Sequence, residues 1–169
     1  PEVHVTGLYW LDLLDEAEAL SWAERYSRPL HAVPMEAVRK AVPSLGEGYG
    51  RAVYMEGVAN IRNPRLLHAL RAALARLSNV TVVEHCPVES FLQDGSRVVG
   101  VRTAQGDMRA EQVVVAAGAW SAQLLATLGL QIPVKPMKGQ MILFKCAEDF
   151  LPSMVLAKRR YAIPRRDGH

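Results

Sequence analysis

The chain has 169 residues, half of them hydrophobic (50%) and 22% charged, with a net charge of +3. That composition is globular, and one domain of this length can bury roughly 70% of its unfolded surface. No apolar run approaches the ~20 residues of a membrane span, and the opening residues, Pro1-Glu2-Val3-His4, carry neither a basic nor an apolar signal region.

In chain order, residues 6–13 (TGLYWLDL) read as a strand rich in aromatic and aliphatic side chains. Asp15 and Glu18 have capping-box spacing and open a helix to about Ser27, with Leu20, Ala23 and Tyr26 on one face. A short helix over 34–41 starts with Pro34 and is stopped by Pro43. Residues 44–51 (SLGEGYGR) form a glycine-rich loop. It is not a true GxGxxG, because Arg51 stands where the last glycine belongs, so a turn is the expected role. A strand follows over 52–56.

Asn63 as N-cap and Pro64 as first helical residue begin the clearest helix, whose apolar stripe is Leu66, Leu67, Leu70, Leu74 and Leu77. Strands are then expected over 80–84, 87–93, 97–103 and 107–116, with turns at Asp94-Gly95 and Gln105-Gly106. The unbroken apolar run 113–118 suits a strand buried on both faces. A helix follows at once, with Trp120, Leu124, Leu125 and Leu128 on its stripe and Gly129 as its C′ residue. A further strand is expected over 137–144, and residues 161–164 look like the start of a last one. The order of elements is a mixed α and β arrangement. Asp167-Gly168 promises a returning strand, and the chain opens on a strand-like run, so an internal stretch of a longer protein is expected.

Metal and nucleophile signatures are missing from the sequence. There is no CxxC, no HExxH and no GxSxG, and His4, His31, His68, His85 and His169 are far apart. No metal site is expected. Cys86 and Cys146 do not make a disulfide framework, which favours a reduced, cytoplasmic setting. The basic cluster Lys158-Arg159-Arg160 with Arg165-Arg166 has no interleaved aromatic series, so a solvated surface is expected and not a nucleic-acid groove. The junction at Ala117-Gly118 offers the one place where backbone can approach a ligand closely at the start of a helix, although Gly118 also serves simply to allow a tight strand-to-helix turn.

Three stretches carry a family resemblance. VVVAAGAWSAQLLATLGLQIPVKPMKGQMILF, MEGVANIRNPRLLHALRAAL and RRYAIPRRDGH resemble segments of the D-amino-acid oxidase-like flavoenzymes. PMKGQM and the Tyr-x-x-Pro-Arg run at Tyr161 look closest to the glycine oxidases of the thiamin pathway. The resemblance implies an α/β (mixed α+β) fragment of a two-domain, FAD-dependent oxidoreductase. Residues 1–56 and 129–169 would belong to the substrate-binding domain, and 57–128 to the FAD-binding domain with an inserted β-meander. It implies oxidation of glycine or another small amino acid or amine to the imine with peroxide production. The alternatives are a D-amino-acid dehydrogenase or sarcosine oxidase-like enzyme, or, from another class, a non-catalytic α/β binding module. Site by site, it implies FAD contacts from the backbone of Val88 and from the small-residue turn Ala117-Gly118, and a substrate contact from Tyr161. No obligatory acid or base falls in this stretch. Some glycine oxidases have a second pocket tyrosine where this chain has Leu156. The family's N-terminal dinucleotide fingerprint and its carboxylate-clamping arginine have no match here. On its own the chain is therefore expected to hold no FAD and not to complete the reaction. The partner is a small amino-acid or amine substrate, and the oligomeric state is left open.

Overall fold

A computed structural model describes residues 2–169; residue 1, the first of the segment 1–56, lies outside the described residues. The chain divides into two compact units, residues 1–76 with 142–169, and residues 77–141.

The first unit is built on a five-stranded sheet. Its strands are β2 (Leu8–Leu11), β3 (Leu30–Val33), β4 (Ala52–Met55), β9 (Met154–Ala157) and β10 (Arg160–Ala162), in the order β10-β9-β2-β4-β3. β2 runs parallel to β9, and every other pairing is antiparallel. β1 (Val3–Val5) and β5 (Ala59–Ile61) form a separate antiparallel pair. Side chains alternate across a strand, so the register sorts the sheet into two faces. One face carries Leu11, Ala52 and Val155, which join Val38 of helix α2 (Met35–Ala41) and its C-cap residue Val42 in the buried core. Burying each of these leucine and valine side chains stabilises the unit by roughly 1.5–3 kcal/mol.

Helix α1 (Glu16–Arg25) packs beside β3 and buries Ala23. Its expected capping box does not form. Asp15 sits at the N-cap with φ −98° and ψ 43°, outside the extended region a cap needs, and its side chain makes no cap bond. Helix α3 (Asn63–Leu74) begins one residue early. Arg62 is the N-cap, and its carbonyl accepts from the Leu66 N–H at 3.0 Å. The leucine stripe of α3 is largely uncovered: Leu67, Leu70 and Leu74 are all exposed, as is Leu77 just beyond.

In the second unit, β6 (Val88–Asp94), β7 (Arg97–Thr103) and β8 (Gly106–Arg109) form the expected antiparallel meander. After a 3-10 turn over Gly118–Trp120 comes helix α4 (Ser121–Ala126), which packs against β6. Gly129 closes α4 as expected, at φ 72°, with N–H bonds from Gly129 to the Ala126 carbonyl and from Leu130 to the Leu125 carbonyl. These are the two bonds of a Schellman cap.

Two expected strands are not formed and a third is cut short. Residues 80–84 and 137–144 join no ladder, and β8 stops at Arg109 instead of running to 116. The run 113–118 is not buried on both faces either, because Val114 is 88% exposed. A strand exists where its row of N–H and C=O groups meets another row. No strand among the described residues lies alongside these apolar runs, and high β-propensity alone does not create one.

Cys86 and Cys146 are both free and half-buried. Denatured, unreduced protein should therefore titrate two thiols, and a count of zero in a monomer would contradict the structure.

Candidate functional site

The first candidate region is the β9–β10 hairpin. Its two-residue turn is Lys158-Arg159, at φ 47° and 61°. Two consecutive left-handed residues make the tight turn whose twist matches antiparallel strands, usually supplied by Asn-Gly. The basic cluster is thus partly a hairpin turn. The Lys158 ammonium lies 5.9 Å from the centre of the Tyr49 ring, so the glycine-rich loop reaches that turn. The loop is itself tethered. The Asp12 carboxylate accepts from the backbone N–H groups of Gly50 at 3.1 Å and Arg51 at 3.2 Å. Those are N–H groups a phosphate cradle would need free, and the loop acts as a turn.

The hairpin sets Tyr161 directly opposite Leu156. Cross-strand partners share a face, so both stand on the face away from the α2 core. Tyr161 is 64% exposed. Downstream, the chain is pinned by charge. Asp167 pairs with Arg62, lies 3.9 Å from Arg65, and meets His169 Nδ1 at 3.0 Å. The His169 hydrogen bond, followed by that from Arg62, pulls the Asp167 carboxyl down to about 2. The Lys145 ammonium donates to the Asp167 carbonyl, and the Asn60 amide donates to the Pro164 carbonyl at 3.4 Å. These bonds hold 164–169 against the start of α3 and fix the strand carrying Tyr161 from below.

Val88, Ala117 and Gly118 all belong to the second unit. Val88 opens β6, an edge strand with one side unpaired, and a bulge separates it from Ser90. One side of the β6 backbone thus has no strand partner. Gly118 has φ 55°, and a Cβ built there meets no heavy atom within 4 Å. Ala117 precedes it as the N-cap of the 3-10 turn. An open strand edge and a left-handed glycine with clear space fit the close backbone approach of a flat, polar cofactor such as a flavin nucleotide. Tyr161 belongs to the first unit. Among the described residues no group of three His, Cys, Asp or Glu side chains is placed to hold a metal ion, and no helix is long and apolar enough to cross a membrane.

Sequence reasoning missed Trp10 and Asp12. Trp10 stands in line with Leu156 and Tyr161 only because β2 pairs with β9, a strand of four residues with too few positions for alternation to mark it. Asp12 carried one signal, an acidic residue at the end of a strand-like run.

A mixed sheet, a β-meander and a glycine-led turn into a helix together make a mixed α and β arrangement. The DAO family of FAD dependent oxidoreductases matches residues 1–169, and the chain belongs to it. Its whole length is 66% identical to a glycine oxidase of Pseudomonas putida and 62% identical to one of Pseudomonas aeruginosa, covering 46% of each. The crystal structure of glycine oxidase from Geobacillus kaustophilus superposes with a TM-score of 0.84 at 28% identity, over 98% of this chain and 46% of that one. The chain thus spans about half the length of the relatives it matches.

Proposed function

We propose that the chain is part of a flavoenzyme that oxidises glycine or another small amine to the imine. The observation that carries this reading is the 66% identity to a glycine oxidase over all 169 residues. Bound FAD would accept the α-hydrogen and two electrons of the amine and pass the electrons to dioxygen, so that R-CH2-NH2 and O2 become R-CH=NH and H2O2. The backbone of Val88 and the turn at Ala117-Gly118 would hold the cofactor through main-chain groups. Tyr161 would line the substrate side, its ring excluding water and fixing the position of the α-carbon. No side chain in this stretch is assigned as acid or base.

We assign residues 1–56 and 129–169 to the substrate-binding domain and 57–128 to the FAD-binding domain. The parallel pairing of β2 with β9 supports this, since it joins the first and third segments in one sheet. A cytoplasmic location accords with the two free thiols.

The full-length protein carrying this segment should purify yellow, consume oxygen with glycine, and release one peroxide per oxygen. Reduction of an artificial acceptor with no oxygen uptake would overturn the oxidase reading in favour of a dehydrogenase. Residues 1–169 expressed alone should be colourless. They offer a flavin nucleotide only a few main-chain contacts, and Asp12 already occupies the Gly50 and Arg51 N–H groups of the glycine-rich loop. One flavin per isolated chain would contradict this.

A further inference from the structure

The pairing of β10 with β9, and of β9 with β2, places Tyr161, Leu156 and Trp10 in one row across the sheet. The row continues through Val53 to Ala32, and the neighbouring row on that face is Leu8, Met154, Met55 and Leu30. Apart from the Tyr161 hydroxyl, no side chain in either row carries a hydrogen-bonding oxygen, and the Trp10 indole offers only an N–H. Trp10 is 37% exposed, so part of its ring is available for contact, whereas Val53 beside it is fully buried. Trp10 and Tyr161 are two strands apart, or about 10 Å at their bases. Leu156 between them is the shortest of the three. Two rings at that separation, floored by leucine, leave room for one layer of aliphatic carbon in van der Waals contact with both.

We propose that Trp10 is a specificity-determining residue: with Leu156 as floor and Tyr161 as opposite wall, it bounds a slot for an apolar substituent on the substrate amine. This rests on the reading of Tyr161 as a substrate-facing residue. The side chains of both rows are apolar apart from the Tyr161 hydroxyl and the Trp10 N–H, so the slot suits an alkyl or aryl substituent, while the charged Lys158-Arg159 turn closes the same hairpin. Leu156 sets the depth. A tyrosine there would make the slot shallower.

The test uses the full-length, flavin-loaded protein with glycine, N-ethylglycine and N-benzylglycine as substrates. Ethoxyacetate and benzyloxyacetate, which cannot be oxidised to an imine, serve as binding probes followed by the flavin absorption band. Trp10→Ala removes one wall. The kcat/KM of N-benzylglycine relative to glycine should rise about tenfold, and the affinity of benzyloxyacetate relative to ethoxyacetate should rise with it. Leu156→Tyr raises the floor and should lower both ratios about tenfold. Trp10→Phe, which preserves an aromatic wall and spares the fold, should move them in the same direction as alanine by a smaller factor. Unchanged ratios in Leu156→Tyr and Trp10→Phe, with Tyr161→Ala still impaired on glycine, would overturn the slot and leave the substrate role of Tyr161 standing. If Tyr161→Ala is silent as well, the hairpin does not face the substrate, and both readings fall.

Discussion

Replacing Tyr161 by alanine in the full-length enzyme should lower kcat/KM for glycine on the order of 100-fold, while phenylalanine should lower it only about two- to tenfold. The difference follows from what each change removes. Tyr161 stands on the open face of β10 opposite Leu156, with its ring largely uncovered in this unit. Phenylalanine keeps the ring and loses at most one hydrogen bond, worth about 0.5–1.5 kcal/mol. Alanine removes the wall that fixes the reacting carbon, and a shift of about 1 Å costs on the order of 100-fold. Flavin content should be the same in both variants, because the residues assigned to FAD lie in the other unit. Steady-state kinetics with flavin absorbance measured alongside decide the matter. An alanine variant with unchanged kcat/KM on glycine and sarcosine would remove Tyr161 from the substrate site.

The legibility of this chain in its sequence follows the range of the interactions involved. The β6–β7–β8 meander was readable because each strand pairs with its neighbour in sequence across a short turn, and Asp94-Gly95 marks the first of them. Helix α4 and its Gly129 cap were readable for the same reason, since every bond in the cap spans five residues or fewer. The strands β1, β3, β5 and β9 were missed. Each has only three or four residues, too few for alternation to register, and β9 is held by β2, which lies 146 positions earlier at Leu8↔Met154. The opposite error, at 80–84 and 137–144, has the same origin: valine-rich and aliphatic runs have the composition of strands, but pairing decides whether they become one. Among the proposed site residues, Tyr161, Val88 and Gly118 were reached through family likeness, and physics alone marked only the Ala117-Gly118 turn. Trp10 was out of reach of either, because its place in the row depends on register across two strand pairs.

Gly100→Ala should be the most damaging single-methyl change in the second unit, costing about 3 kcal/mol or more. Gly100 lies in the central strand β7, paired with Leu92 on one side and Arg109 on the other, at φ 154°. A Cβ there would sit 2.2 Å from the Met108 carbonyl oxygen and 2.9 Å from the Arg109 Cα. Both are backbone atoms and cannot rotate away, so β8 must lift from β7 and surrender ladder bonds. A disfavoured positive φ by itself costs about 1–3 kcal/mol. Gly95→Ala serves as a positive-φ change without a clash, since Gly95 has φ 57° and its Cβ would meet nothing within 4 Å. For a protein of this size about 3 kcal/mol corresponds to a fall of roughly 6–12 °C in Tm. Thermal unfolding of both variants, with hydrogen exchange on β8, measures the difference. In the full-length protein Gly100→Ala should also reduce flavin occupancy, because Val88, assigned a main-chain contact to FAD, opens the strand paired to β7 on the other side. A Gly100→Ala variant no less stable than Gly95→Ala would show that β7 and β8 do not approach as closely as their register requires.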